Sequence, residues 1–163
     1  MDSNLQPYRR LRINDLTYRF TTDNGDSYKC FFLSFAEYFA DYPELAPKFY
    51  SFNLELVNKP AKHKGIDKRI GATAVKIVGD FLNSEINAVV YVCDPSDGKG
   101  LTRARKFKSW FKYYEHSSHQ ILQVTSDIKI ENLMLYTVLL VHKKNKLKKQ
   151  FIDAYLDLTD EDK

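Results

Sequence analysis

With 163 residues, a hydrophobic share of 44% and 11 Tyr and 11 Phe, the chain has apolar area for one folded core, which excludes a wholly disordered protein. Its formal charge of +4 is unevenly spread: Lys59 to Arg69, Lys99 to Lys112 and Lys143 to Lys149 are basic, while Asp157, Asp160, Glu161 and Asp162 make an acidic tail. No apolar run approaches the ~20 residues of a bilayer span and Met1-Asp2-Ser3-Asn4 shows no signal pattern, so the expectation is one cytoplasmic domain over 1–163, with frayed ends near 1–8 and 157–163 and no membrane partner.

In chain order, Tyr18 to Thr21 and Ser27 to Phe35 flank Asp23-Asn24-Gly25-Asp26, whose residues tolerate positive φ, and predict a β-hairpin. Past Tyr42-Pro43 and Ala46-Pro47, Tyr50 to Asn58 alternates, with Tyr50, Phe52, Leu54 and Leu56 on one face and Ser51, Asn53 and Glu55 on the other. From Asp67 to Leu82 the period becomes helical, setting Ile70, Ala74, Ile77, Val78, Phe81 and Leu82 along one stripe. Ala88 to Cys93 is a continuous apolar run, the pattern of a central strand, ended by Asp94-Pro95-Ser96-Asp97-Gly98. Leu101 to Tyr114 predicts a second helix with Ala104, Phe107, Trp110 and Phe111 inward. Ile121 to Ile130 and Asn132 to His142 predict two strands joined at Glu131-Asn132, and Asn145 to Leu156 a closing helix. The order βββ-α-β-α-ββ-α predicts an α+β fold with a single mixed, mainly antiparallel sheet flanked by helices.

Over roughly Tyr18 to His142 this order resembles the GNAT acyltransferase fold. In that family the turn into the first helix carries Arg/Gln-x-x-Gly-x-Gly/Ala, whose backbone N–H groups bind the pyrophosphate of acyl-CoA. The aligned residues are Ile66, Arg69 and Gly71, of which Gly71 fits, within Arg69-Ile70-Gly71-Ala72. Arg69, standing where the family has glycine, either reaches phosphate through its side chain or fills the cofactor's space. The resemblance implies acyl-CoA as cofactor, Arg69, Ile70, Gly71 and Ala72 as its binding residues, and a small-molecule or protein amine as acceptor. It also places a catalytic base at Glu55, against which stands the plain reading of a solvent-facing carboxylate on an alternating strand. The family's acid, a Tyr early in the second helix, has no equivalent here; Phe107 and Lys108 stand near that place, and Tyr113 and Tyr114 come later. The chain also resembles an uncharacterised bacterial domain family, which brings no activity with it.

Other constellations are plainer. Asp94 and Asp97 have a spacing compatible with a hard cation, but Asp-Pro and Asp-Gly are ordinary turn chemistry; His116 and His119 lack a third ligand, and no metal is expected. Cys93 is a nucleophile only if a base lowers its pKa, and burial does the opposite; both it and Cys30 read as reduced, packed thiols. The alternative to an enzyme is a binding protein whose basic helix, through Arg103, Arg105, Lys106, Lys108 and Lys112, meets nucleic acid or an acidic protein. The aromatic side chains of that helix lie on its inward stripe and are not free to stack on bases.

Overall fold

The computed structural model describes residues 5–58, 67–93, 98–114, 120–130 and 132–159. Ile66, the Asp94 to Asp97 turn, His116, His119, Lys59 to Lys64 and the tail carboxylates Asp160 to Asp162 lie outside them. The strands are β1 (Leu11–Asn14), β2 (Thr17–Thr21), β3 (Ser27–Ser34), β4 (Phe49–Asn58), β5 (Ala88–Cys93), β6 (Ile121–Ile130) and β7 (Leu133–His142). The helices are α1 (Lys68–Leu82), α2 (Gly100–Tyr114) and α3 (Lys148–Thr159), with 3-10 turns at Ala36–Phe39 and Ala46–Lys48. The seven strands form one sheet in the order β1-β2-β3-β4-β5-β7-β6. Every neighbouring pair is antiparallel except β4 and β5. The α+β class and the mixed, mainly antiparallel sheet read from the sequence are those observed.

Each element follows from local chemistry. Gly25, at φ +88, closes the β2–β3 turn, where the Thr22 N–H donates to the Asp26 carbonyl at 2.8 Å. Asp67 caps α1, its Oδ1 accepting from the Arg69 N–H at 2.9 Å, and Asp is among the residues best suited to that task. The closing helix begins at Lys148 rather than at Asn145. Buried Asn145 instead accepts the Leu147 N–H on its side-chain oxygen and donates to the Asn87 carbonyl, an Asx turn that competes with the first helical turn.

The sheet divides the core in two. On one side α1 and α2 pack Ala74, Ile77, Val78, Phe107 and Phe111 on Phe32, Phe52, Val89 and Leu140. On the other, α3 and the 3-10 turns bring Phe39, Phe151, Ala154 and Tyr155 onto Phe49, Val90, Leu139 and Val141. Strand alternation dictates this split, since Phe52 and Phe49 lie on opposite faces of β4. The α3 side of β2 to β4 is less covered: Arg19, Leu33 and Glu55 are exposed there, and Lys29, Phe31 and Asn53 half-buried.

Two features differ from the sequence reading. β1 adds an edge strand that exposes all its residues and so shows no alternation to read. The amino-terminal segment, expected to fray to about residue 8, is anchored at Tyr8, which is 5% exposed and whose N–H donates to Thr73 Oγ1 at 2.8 Å.

Candidate functional site

The parallel pair at the middle of the sheet is short. β4 and β5 meet only at Phe49 with Ala88, Tyr50 with Val89 and Ser51 with Val90. Past that point β4 continues to Asn58 paired with β3, and β5 continues to Cys93 paired with β7, so each keeps its outer neighbour while the inner edges part. A fork results, and its inner edges carry peptide groups with no ladder partner among the described residues.

On the helix side the fork is floored by rings. Tyr91 stacks on Phe107 at 3.9 Å between centroids, and Phe52 packs on both. Cys93 ends β5; burial drives its thiol up to about 11, with Arg103 pulling the other way, so it is protonated near neutrality and is no nucleophile. Burial likewise pushes the Tyr91 phenol up to about 12. Glu55 sits on β4 beyond the last paired residue, exposed and directly across from Lys29 of β3, on the sheet face away from α1.

The four motif residues lie in the first turn and a half of α1, and their surroundings are not those of a phosphate cradle. The Arg69 amide is held by the Asp67 carboxylate, which brings negative charge to the helix start. Gly71 is buried and faces α2: a Cβ there would lie 2.6 Å from Cδ1 and Nε1 of Trp110. Its missing side chain makes room for an indole. Ala72 is buried, and Ile70 packs at the rim of the core. Arg69 neither spans the fork nor stands free; its guanidinium lies 3.9 Å over the Tyr8 ring, its Nε donates to the Gln6 carbonyl at 2.8 Å, and its Nη1 pairs with Asp23 at 3.1 Å. The fold thus separates Glu55 from the Arg69 turn by the thickness of the sheet.

Tyr8 ties this corner together. Its hydroxyl donates to Asp67 Oδ2 and accepts the Asp23 N–H at 3.2 Å, and its ring begins a stack through Phe20 to Tyr28. Burial, then the bond to Asp67, raises the Tyr8 pKa. Beside it opens a cavity of about 720 Å³ lined by Arg9, Arg10, Arg19, Arg69 and Asp23 among others. The run Tyr8-Arg9-Arg10-Leu11-Arg12 carries the signal, but it falls outside the three long basic stretches and was not among the sequence candidates.

Arg103, Arg105, Lys106, Lys108 and Lys112 are all exposed on α2. Beneath its last turns runs a groove of about 430 Å³ lined by Lys108, Lys112, Lys143 and Gln123. Trp110, Phe107 and Phe111 face the core or its margin, as the helical stripe predicts.

Residues 66–157, more than half of the chain, match the family of unknown function DUF6169. The chain belongs to that family. No curated protein and no solved structure matches it. The DUF6169 segment runs from α1 through most of α3, so it holds the β5 side of the fork and the whole basic helix, while β4 with Glu55 lies before it. Among the described residues, no helix is long and apolar enough to cross a membrane.

Proposed function

We propose that this DUF6169 protein is a GNAT-like, acyl-CoA-dependent N-acyltransferase that takes the pantetheine arm of its cofactor between β4 and β5. The observation that carries the reading is the fork: two parallel central strands that pair over three positions and then part, exposing peptide groups with which an extended amide-bearing chain can bond. The strand order and the α1 crossover between the parted strands also support the GNAT-like order. The Arg69 to Ala72 turn does not, because Asp67 and Trp110 occupy what a pyrophosphate would need. In this reading the phosphates lie elsewhere.

When bound, the cofactor supplies the activated acyl thioester. Glu55, exposed on β4 past the last parallel pair, is the base for an amine arriving on the open face of the sheet, with Lys29 directly across from it on β3. Isothermal titration with acetyl-CoA and a longer acyl-CoA tests the proposal directly. Saturable binding of either thioester supports it; no heat with either ends it.

A second reading is favoured by α2, whose five named cations are all exposed: a binding protein that meets nucleic acid or an acidic protein through this face. It predicts retention on DNA or RNA at low salt that falls as salt rises, because counterion release drives such binding. No retention at low salt removes the nucleic-acid form.

A further inference from the structure

We infer that the arginine-lined cavity beside Tyr8 is a binding site for a small molecule bearing clustered phosphates, of the size of a nucleoside diphosphate. The site stands apart from the fork and does not rest on the acyltransferase reading.

Arg9, Arg10, Arg19 and Arg69 line one cavity at the edge of the sheet, Arg19 from the face of β2 opposite to Phe20, and the one carboxylate on its wall, Asp23, is paired with Arg69. Asp67 and buried Asp26 lie close by, but Asp67 is engaged by the Arg69 amide and the Tyr8 hydroxyl. Arg10 reaches back to the Tyr8 carbonyl at 2.9 Å through a single nitrogen, leaving other donors. Neither the Arg9 nor the Arg19 side chain has a hydrogen-bond or ion-pair partner among the described residues, and Lys29, across from Arg19 on β3, stands between it and Glu55. The cavity wall thus carries more positive than negative charge, which favours an anionic ligand.

Geometry then selects the ligand. Guanidinium forks match phosphate oxygens two at a time, which a lone lysine cluster on a flat surface does not. The cavity, about 720 Å³, lies within the usual range for small-molecule sites. Its walls are fixed: the Gln6 to Tyr8 stretch is tied to α1 through Thr73, Asp67 and Arg69. Preorganised walls bind with less entropic cost.

The test uses the whole chain, titrated with pyrophosphate and with ADP at low salt, beside a single-stranded oligonucleotide. The expected result is saturable binding of pyrophosphate and ADP that drops at least tenfold in Arg9→Gln/Arg19→Gln and is unchanged in Lys106→Gln/Lys112→Gln on α2. Both arginines are exposed, so thermal melting should show the double variant folded; Arg10→Lys, which keeps charge but loses the fork, should weaken binding by itself. No binding by either small probe, or equal binding by the double variant, overturns the proposal. So does binding confined to the oligonucleotide.

Discussion

Gly71 of α1 and Trp110 of α2 are so closely apposed that a single added carbon at Gly71 would stand 2.6 Å from two indole atoms. Gly79, two turns later on the same helix, has nothing within 4 Å of the same position. Alanine relieves the same helical cost of roughly 1 kcal/mol at both sites. The two substitutions should nonetheless part in sign: Gly79→Ala stabilises by about 0.5–1 kcal/mol, whereas Gly71→Ala destabilises by about 1–3 kcal/mol because the indole must move. Urea midpoints check this, and loss of the Gly71→Ala penalty in a Trp110→Ala background would locate it in that contact.

The contrast shows what was legible in the chain. Periodicity alone placed α1, β5 and α2, because each buries one stripe or both faces and those patterns sit in contiguous residues. The role of Gly71 was not readable, since a glycine near a helix start admits either a phosphate or a neighbouring ring, and the ring comes from a different helix. Tyr8 was hidden for the same reason: its partners Thr73 and Asp67 are distant in sequence, and nothing near Tyr8 announces them. The fork was half visible. Strand, helix, strand implied the parallel pair, but where β4 leaves β5 depends on sheet twist and on the Phe52, Tyr91 and Phe107 rings.

Thr137 and Tyr155 form a buried hydroxyl pair between β7 and α3, 2.6 Å apart, and Thr137 also donates to the Ser126 carbonyl at 2.7 Å. A hydroxyl has one proton, so Thr137 spends its own on Ser126 and Tyr155 must be the donor within the pair. Tyr155→Phe removes a donor whose acceptor remains satisfied and should cost about 1 kcal/mol. Thr137→Val strands both the Tyr155 hydroxyl and the Ser126 carbonyl, and should cost about 2–3 kcal/mol. Chemical denaturation of both variants checks the asymmetry; equal losses would mean the donor assignment is reversed.

Alkali should destabilise the protein from about pH 9 upward. Burial raises Cys30 to about 12, Cys93 to about 11 and Tyr155 to about 12, from ordinary values of 9.0, 9.0 and 10.0. Each group stays protonated in the fold while the unfolded chain has already lost its proton, so stability is full below about pH 9 and falls as pH climbs towards the folded values. Each buried group adds a slope of about 1.4 kcal/mol per pH unit in its window. Melting temperature followed from pH 7 to pH 11 should hold flat to about 9 and then drop, and Cys30→Ala should shallow the drop while lowering stability at pH 7. For the same reason, native thiols should react with iodoacetamide far more slowly than in urea.

Asp67 separates the helix-cap role from the electrostatic one. Its Oδ1 accepts from the Arg69 amide and its Oδ2 from the Tyr8 hydroxyl, so an asparagine, with a single oxygen, keeps the cap and loses the bond from Tyr8. Asn serves as an N-cap about as well as Asp, so Asp67→Asn should cost only the Tyr8 bond, about 1 kcal/mol, whereas Asp67→Ala loses cap and bond together, about 2 kcal/mol. Removing this charge from beside Arg69 also raises the positive potential of the arginine cavity. A unit charge removed from the neighbourhood of an anion site is worth on the order of 1 kcal/mol, so Asp67→Asn should tighten pyrophosphate binding severalfold at low salt. Because the effect is through space, it should fade as ionic strength approaches 0.15 M. Titration of the Asp67→Asn variant at two salt concentrations reads both numbers, and a gain that survives salt would mean that the amides of the α1 start, not the arginines, receive the anion.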